Sequence, residues 1–137
     1  MKQDELKYPS REEIEQWMRE AEAGDAEAQY QLGICYANGY GVTIDQITAV
    51  EYFFDASEQD HPQALYQLGN CYLYGYGVYC NYRTAADCFE QAAKLGVVRA
   101  QYRLGNCYYY GNGVDTNYEQ AKYWYAKAAD QGDADAL

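Results

Sequence analysis

The chain has 137 residues, of which 49% are hydrophobic, and a net charge of −11. This length suits one domain of ordinary size, and the negative charge argues against binding DNA or RNA, whose phosphates it would repel. Residues 1–7 lack the apolar stretch of a secretory signal and no long apolar run follows, so we expect a cytoplasmic protein that does not enter a membrane.

The first predicted element is a helix that begins after Ser10. Ser10 and Glu13 have the spacing of a capping box, in which the two side chains bond to each other's backbone amides. Ile14 and Trp17 follow at helical spacing, with a methionine and an alanine on the same face. We expect this amphipathic helix to cover the N-terminal end of whatever follows it.

An internal repeat dominates the rest of the sequence. Ala-Gln-Tyr-Gln-Leu-Gly-Ile-Cys-Tyr at residues 28–36 returns with few changes at 64–72 and 100–108, a step of 36 residues. The block Gly-x-Gly-Val begins at positions 39, 75 and 111, which keeps the same step without insertion. Tandem units of this length are typical of a solenoid, in which neighbouring units stack.

The first half of each unit is predicted to form a helix, here called helix A, because apolar residues recur every three or four positions. A capping residue precedes it in the first two units, but a valine in the third is a weak cap. The predicted A helices span residues 26–37, 62–73 and 98–109, with caps at Asp25, His61 and Val97.

The second half of each unit is predicted to form helix B. The Gly-x-Gly-Val block separates the two helices, because glycine adopts the left-handed conformation at a helix C-terminus without a Cβ penalty. Asp or Asn then caps the next helix. The predicted B helices span residues 46–58, 82–95 and 118–131, after Asp45, Asn81 and Asn117.

A glycine lies inside every helix A, although glycine there costs about 1 kcal/mol relative to alanine. Its recurrence indicates that another backbone comes too close for a Cβ atom. We expect this backbone to be that of helix B of the same unit. The alanines of helix B would then pack against the glycine, small residue against small residue. The glycines are Gly33, Gly69 and Gly105.

This pattern resembles the Sel-one-like repeat (SLR) family, a branch of the tetratricopeptide (TPR)-like superfamily. The resemblance is carried by Ala-x-x-x-Leu-Gly-x-x-Tyr of helix A, by Gly-x-Gly-Val, and by residues 121–129 of the last helix B, and it covers about residues 24–137. It implies an all-α fold, a right-handed superhelix of antiparallel helix hairpins. It also implies an adaptor or scaffold role in protein complexes, without a cofactor.

The register of the repeat predicts the organisation of the chain. We expect a tail at residues 1–9, a capping helix at 10–24, repeats at 25–60, 61–96 and 97–132, and the start of a truncated fourth unit at 133–137. Such an unfinished edge would leave one face of the last helix B open to self-association.

A cysteine-rich branch of the family offers an alternative function, a penicillin-binding or β-lactamase-like hydrolase stapled by disulfides. Its paired cysteines would fall at Ser57 and Leu65 and at Ala93 and Gln101, and the chain has no cysteine at these positions. We therefore expect a protein that is not an enzyme.

Five cysteines and one histidine are the candidates for metal binding or catalysis. Cys35, Cys71 and Cys107 lie one repeat apart, roughly 10 Å in a helical stack, whereas a disulfide needs Cα atoms within about 7 Å. We interpret them as small buried residues. The sequence also allows a disulfide between Cys71 and Cys88 within one hairpin. With one histidine and no Cys-x-x-Cys, no metal site or catalytic arrangement is expected.

The A helices are expected to line the concave face of the superhelix and to bind a segment of a partner protein. Tyrosine offers rigid contact area, and asparagine can hydrogen-bond a peptide backbone. The alternative is that the tyrosines only pack between repeats. The predicted partner-binding residues are Tyr30, Ile34, Tyr66, Asn70, Tyr74, Arg99, Tyr102, Asn106, Tyr109 and Tyr110. The net charge either serves solubility alone or favours a basic partner.

Overall fold

The computed structural model describes residues 8–136, so most of the expected tail and Leu137 lie outside the described residues. Within this range the chain forms seven α-helices and a 3₁₀ turn, and no strand. The helices are α1 (Arg11–Glu22), α2 (Ala26–Asn38), α3 (Gln46–Ser57), α4 (Pro62–Tyr74), α5 (Tyr82–Lys94), α6 (Val98–Tyr110) and α7 (Tyr118–Asp130), and the turn is Ala134–Ala136. No helix in this part of the chain is long and apolar enough to span a bilayer.

The helices pack in the order in which they follow along the chain. α2, α4 and α6 are the A helices, and each packs against the helix before it and the helix after it. α1 packs against α2 at the N-terminal end. The predicted all-α superhelix of helix hairpins is confirmed.

The predicted capping residues begin their helices as expected. Ser10 and Glu13 form the capping box, with both bonds at 3.1 Å. The Asp25 side chain caps α2 by accepting a hydrogen bond of 2.9 Å from the backbone amide three residues later. The His61 ring caps α4 in the same way, at 3.1 Å. The three B helices are capped in the same way, by Asp45, Asn81 and Asn117.

The weak cap at Val97 has a packing reason. Val97 makes no side-chain capping bond, as its residue type predicts. Its side chain is buried instead and belongs to a core cluster with Leu65, Phe89 and Leu104. Repeat three therefore exchanges a capping hydrogen bond for apolar burial at its first position.

Glycine ends each A helix as predicted. The residue after the helix takes the left-handed conformation, and its amide donates to the carbonyl four residues back. The valine of the same block then packs against the core clusters. The capping glycines are Gly39, Gly75 and Gly111, with φ of 74°, 73° and 70°.

The glycines inside the A helices face aromatic rings. A Cβ atom on Gly69 would lie 2.6 Å from the ring of Phe89 on the following helix B. The same holds for Gly33 with Phe53 and for Gly105 with Tyr125. The expectation of a close backbone is therefore wrong, although helix B of the same repeat is the correct neighbour. Each hairpin closes by fitting a flat ring against a residue without a side chain.

A backbone contact too close for a Cβ atom does occur, between successive repeats. A Cβ on Gly77 would lie 2.3 Å from the carbonyl oxygen of Gln46, and one on Gly113 would lie 2.2 Å from that of Tyr82. Both glycines are the second of their Gly-x-Gly-Val block, and both have positive φ. This loop therefore sets the distance between one repeat and the next.

Candidate functional site

The tyrosines predicted to form a ladder occupy the same position in α2, α4 and α6. Each is partly buried and packs against the B-helix ring of its own repeat. The pairs are Tyr30–Phe53, Tyr66–Phe89 and Tyr102–Tyr125, with ring centroids 6.2, 6.1 and 5.8 Å apart. Each ring thus packs within its own repeat and keeps an accessible part, and partner binding by these tyrosines stays a prediction.

Two asparagines follow these tyrosines by four residues and differ in their partners. Asn106 Oδ1 accepts a hydrogen bond from the Tyr125 hydroxyl. Repeat two has Phe89 at the position of Tyr125, so that hydroxyl is missing. Asn70 Oδ1 is buried and has no hydrogen-bond partner among residues 8–136. The equivalent residue of repeat one, Ile34, packs against the core.

Side chains 34 residues apart join the first repeat to the second. The His61 Nδ1 accepts the capping bond from its own helix, so Nε2 carries the proton and donates to Glu27 at 2.7 Å. The His61 ring also stacks on Tyr30, with centroids 4.7 Å apart. Burial raises the pKa of Glu27, but hydrogen bonds from His61 and Gln31 outweigh it and hold that pKa below its usual value.

An ion pair at the same spacing joins repeat three to the turn that follows it. Arg99 donates to the buried Asp133 and to Asp135, each at 2.9 Å. Burial disfavours the charge of Arg99, but bonds to Asp133 and Tyr66 outweigh it and raise its pKa. The guanidinium also lies 4.8 Å from the centroid of the Tyr102 ring. Arg99, predicted as a partner contact, is therefore already engaged within the chain.

Arg103 is a residue of this face that sequence reasoning missed. It reaches from α6 towards α4, with its guanidinium 5.6 Å from the centroid of the Tyr74 ring. Its Nε is buried without a hydrogen-bond partner in the described chain. One signal could have found it, because the equivalent residues of repeats one and two are the neutral Gln31 and Gln67.

The remaining predicted residues lie near the ends of α4 and α6. Tyr74, Tyr109 and Tyr110 are all exposed. Tyr109 contacts Tyr110 edge to face at 4.9 Å between centroids. A pocket of about 200 Å³ lies between the two helices. It is lined by Leu73, Phe89, Arg103, Asn106, Cys107, Tyr110 and Asn112.

A second accessible surface, at the loop edge of the first two repeats, was also missed. Ile44 and Ile47 are 57% and 66% exposed, and Tyr79 is 96% exposed. Ile47 and Tyr79 line a pocket of about 740 Å³. Comparing the repeats could have indicated this patch, because the positions of Ile44 and Ile47 become Cys80 and Arg83 one repeat later.

Hydrogen bonds occupy two positions where the cysteine-rich branch of the family would place disulfides. Gln101 donates to the carbonyl oxygen of Ala93 at 3.2 Å, and Gln29 donates to that of Ala21 at 3.3 Å. Leu65 is the equivalent residue in repeat two, and it packs in the core. A buried amide or an apolar side chain thus holds the same pair of helices that a disulfide would join.

All five cysteines are free thiols, and Cys71 and Cys88 form no disulfide. Four are buried, as predicted for the three in the A helices. Burial raises the pKa of Cys71 and Cys107 to about 11 and that of Cys88 to about 12. No group of three His, Cys, Asp or Glu residues suited to a metal ion occurs among residues 8–136.

We expect one thiol of the folded protein to react rapidly with dithionitrobenzoate at about pH 8, because only a thiolate attacks the reagent. Cys80 is exposed, whereas the other thiols are buried. Unfolding in guanidinium should raise the titre to five, and Cys80→Ser should remove the rapid phase. Rapid reaction of two or more thiols in the folded protein would contradict this burial pattern.

The Sel1 repeat family model matches residues 26–61, 62–97 and 98–133. Among solved structures, a Sel1 repeat protein from Oxalobacter formigenes is 33% identical over 90% of this chain, with a TM-score of 0.84. A protective antigen with an SLR fold from uropathogenic Escherichia coli is 37% identical over 90% of this chain, with a TM-score of 0.86. Helicobacter pylori cysteine rich protein B is 25% identical over 92% of this chain, with a TM-score of 0.71.

The chain covers 51% of the Oxalobacter protein, 26% of the Escherichia coli antigen and 90% of the Helicobacter protein. No match to a curated protein was found. Sel1 repeat proteins are generally scaffolds for protein interactions and are typically non-catalytic. With three matched repeats and the same stack of helix hairpins, the chain belongs to the Sel1 repeat family.

Proposed function

We propose that the chain is a non-catalytic scaffold that binds an extended segment of a partner protein along its A helices. The surface, here called the A-helix face, is defined by Tyr30, Tyr66 and Tyr102 with the residues that neighbour them. One observation carries the proposal: these equivalent tyrosines are each held by a B-helix ring and each keep an accessible part.

The fixed rings suit binding because little side-chain freedom is lost when a partner arrives. Arg103 adds a guanidinium to the same face, 5.6 Å from the centroid of the Tyr74 ring. The carbonyl oxygens of a peptide backbone accept hydrogen bonds of the kind that a guanidinium donates. The A-helix face therefore provides both contact area and a polar group of the kind that fixes the register of an extended segment.

The spacing of the repeats sets the length of the segment. Side chains of neighbouring A helices contact each other directly, as Tyr30 and His61 do. Helices in such contact lie about 10 Å apart, so the three tyrosines extend over about 20 Å. An extended chain rises about 3.3 Å per residue. The A-helix face would therefore contact on the order of six residues of the partner.

We expect Tyr66→Ala with Tyr102→Ala to weaken partner binding at least a hundredfold, since buried tyrosines at interface centres often contribute 2 kcal/mol or more each. Partners would be captured with the wild-type chain as bait and identified by mass spectrometry. Their affinities for both proteins would then be measured by isothermal titration calorimetry.

The matched control is Tyr79→Ala with Tyr123→Ala, which removes two exposed tyrosines outside the A-helix face. It should bind as the wild type does. Circular dichroism at the assay temperature must show folded protein, because Tyr66 and Tyr102 also pack against B-helix rings. A folded double variant with unchanged affinity would exclude the A-helix face as the binding surface.

A further inference from the structure

The junction between repeats two and three lacks the side-chain bond at a spacing of 34 residues that occurs at the other two junctions. Glu27 and His61 bond across the first junction, and Arg99 and Asp133 bond across the last. The equivalent residues at the middle junction are Gln63 and Val97, which cannot form an ion pair. The polar groups on the A-helix face there include the Tyr66 hydroxyl, Asn70 and Arg103.

Asn70 and Arg103 both hold a buried polar atom without a partner in the described chain, Oδ1 of one and Nε of the other. Buried polar groups are rarely left without a hydrogen bond, and the cost in free energy is highest when the unpaired donor belongs to a charged group. Both residues are themselves partly exposed, although these two atoms are buried. The middle junction is thus polar and incompletely satisfied.

Both side chains lie close to the Tyr66 hydroxyl. Burial raises the pKa of Tyr66, but polar contacts with Asn70 and Arg103 and the positive charge of Arg103 outweigh it and lower that pKa. Arg103 therefore places a positive charge beside Tyr66, although the chain carries a net charge of −11.

Arg103 makes no ion pair within residues 8–136, whereas Arg99 on the same helix contacts two aspartates. A guanidinium prefers a carboxylate, which it can grip through two parallel hydrogen bonds. The pocket of about 200 Å³ beside Arg103 has Leu73 and Phe89 in its lining, which would suit the methylene groups of an acidic side chain. A lysine or arginine of a partner would be repelled here.

We propose that the middle junction selects an Asp or Glu side chain of the bound segment, with Arg103 as its counter-charge. The inference rests on the proposed function, because it assigns a specificity to one point of the A-helix face. It also runs opposite to the preference for basic partners that the net charge alone favours.

The test is selection of a displayed library of random twelve-residue peptides on the wild-type chain, Arg103→Gln and Arg83→Gln. Arg83→Gln removes the same charge from α5, outside the A-helix face. Peptides selected on the wild type and on Arg83→Gln should share an acidic residue at one position, and those selected on Arg103→Gln should not. Arg103→Lys, which keeps the charge but loses the planar fork, should retain a weaker acidic preference.

Affinities of the best wild-type peptide and its Glu→Gln or Asp→Asn form complete a double-mutant cycle. The neutral peptide should bind the wild type about tenfold more weakly, as loss of a charge-assisted bond implies, and should bind Arg103→Gln within twofold of the acidic one. Circular dichroism would establish that each variant is folded. If Arg103→Gln does not fold, Arg103→Lys replaces it in the cycle.

The outcomes separate the two proposals. Peptides that require Tyr66 and Tyr102 but show no acidic position, or whose acidic position survives Arg103→Gln, overturn the assignment to Arg103 and leave the A-helix face as a binding surface. Failure to select any peptide that depends on Tyr66 and Tyr102 overturns both.

Discussion

Phe89→Ala is expected to lower the free energy of unfolding by about 3–5 kcal/mol, the usual cost of emptying a buried aromatic site. The ring is completely buried and packs against Gly69 and Tyr66 of the preceding helix. Guanidinium denaturation followed by circular dichroism would measure the loss. A change below 1 kcal/mol would mean that the hairpin does not depend on this ring.

The same site allows a test of the contact between Gly69 and Phe89. Helix propensity alone predicts that Gly69→Ala gains about 1 kcal/mol. The structure predicts a loss of about 1–3 kcal/mol instead, because the added methyl group would overlap the ring. In the double variant with Phe89→Ala the added methyl group enters the space that the ring has vacated. The loss of stability in the double variant should therefore be smaller than the sum of the two single losses by at least about 1 kcal/mol. Strict additivity would contradict the contact.

Gly113→Ala is expected to destabilise the protein by about 3 kcal/mol or more. Part of this is strain, since a non-glycine residue at positive φ costs about 1–3 kcal/mol, and Gly113 has a φ of 77°. The rest arises because its Cβ would lie 2.2 Å from the carbonyl oxygen of Tyr82 and would force two repeats apart. Guanidinium denaturation again provides the measurement.

Gly96→Ala is the matched control for this substitution. Gly96 has a φ of 94°, but a Cβ there would meet nothing within 4 Å. It should therefore cost only the strain, about 1–3 kcal/mol. Equal losses for the two variants would show that the close approach at Gly113 does not limit the spacing of the repeats.

The sequence predicted the elements of this fold well because their signals are local. The caps at Asp25 and Asn81 and the glycine after each A helix act within one turn, so residue type alone locates them. Even the weak cap at Val97 was predicted correctly. The 36-residue step then fixed the order of the helices, since identical units that follow one another without insertion stack in sequence.

Predictions that depended on a neighbour in space were less complete. Gly69 showed that a Cβ atom is not tolerated, but the sequence could not show that the obstacle is the ring of Phe89. The bond between Arg99 and Asp133 joins residues 34 apart and follows only from the stacking distance. Arg103 was missed because its significance depends on Tyr66 and Tyr74, which lie on the A helix of the preceding repeat.

The most direct test of the account is a crystal structure of the chain with a peptide selected on it. We predict an extended peptide that runs across Tyr30, Tyr66 and Tyr102. A peptide bound instead at the loop edge formed by Ile44, Ile47 and Tyr79, or on the B helices, would contradict the assignment of the A-helix face.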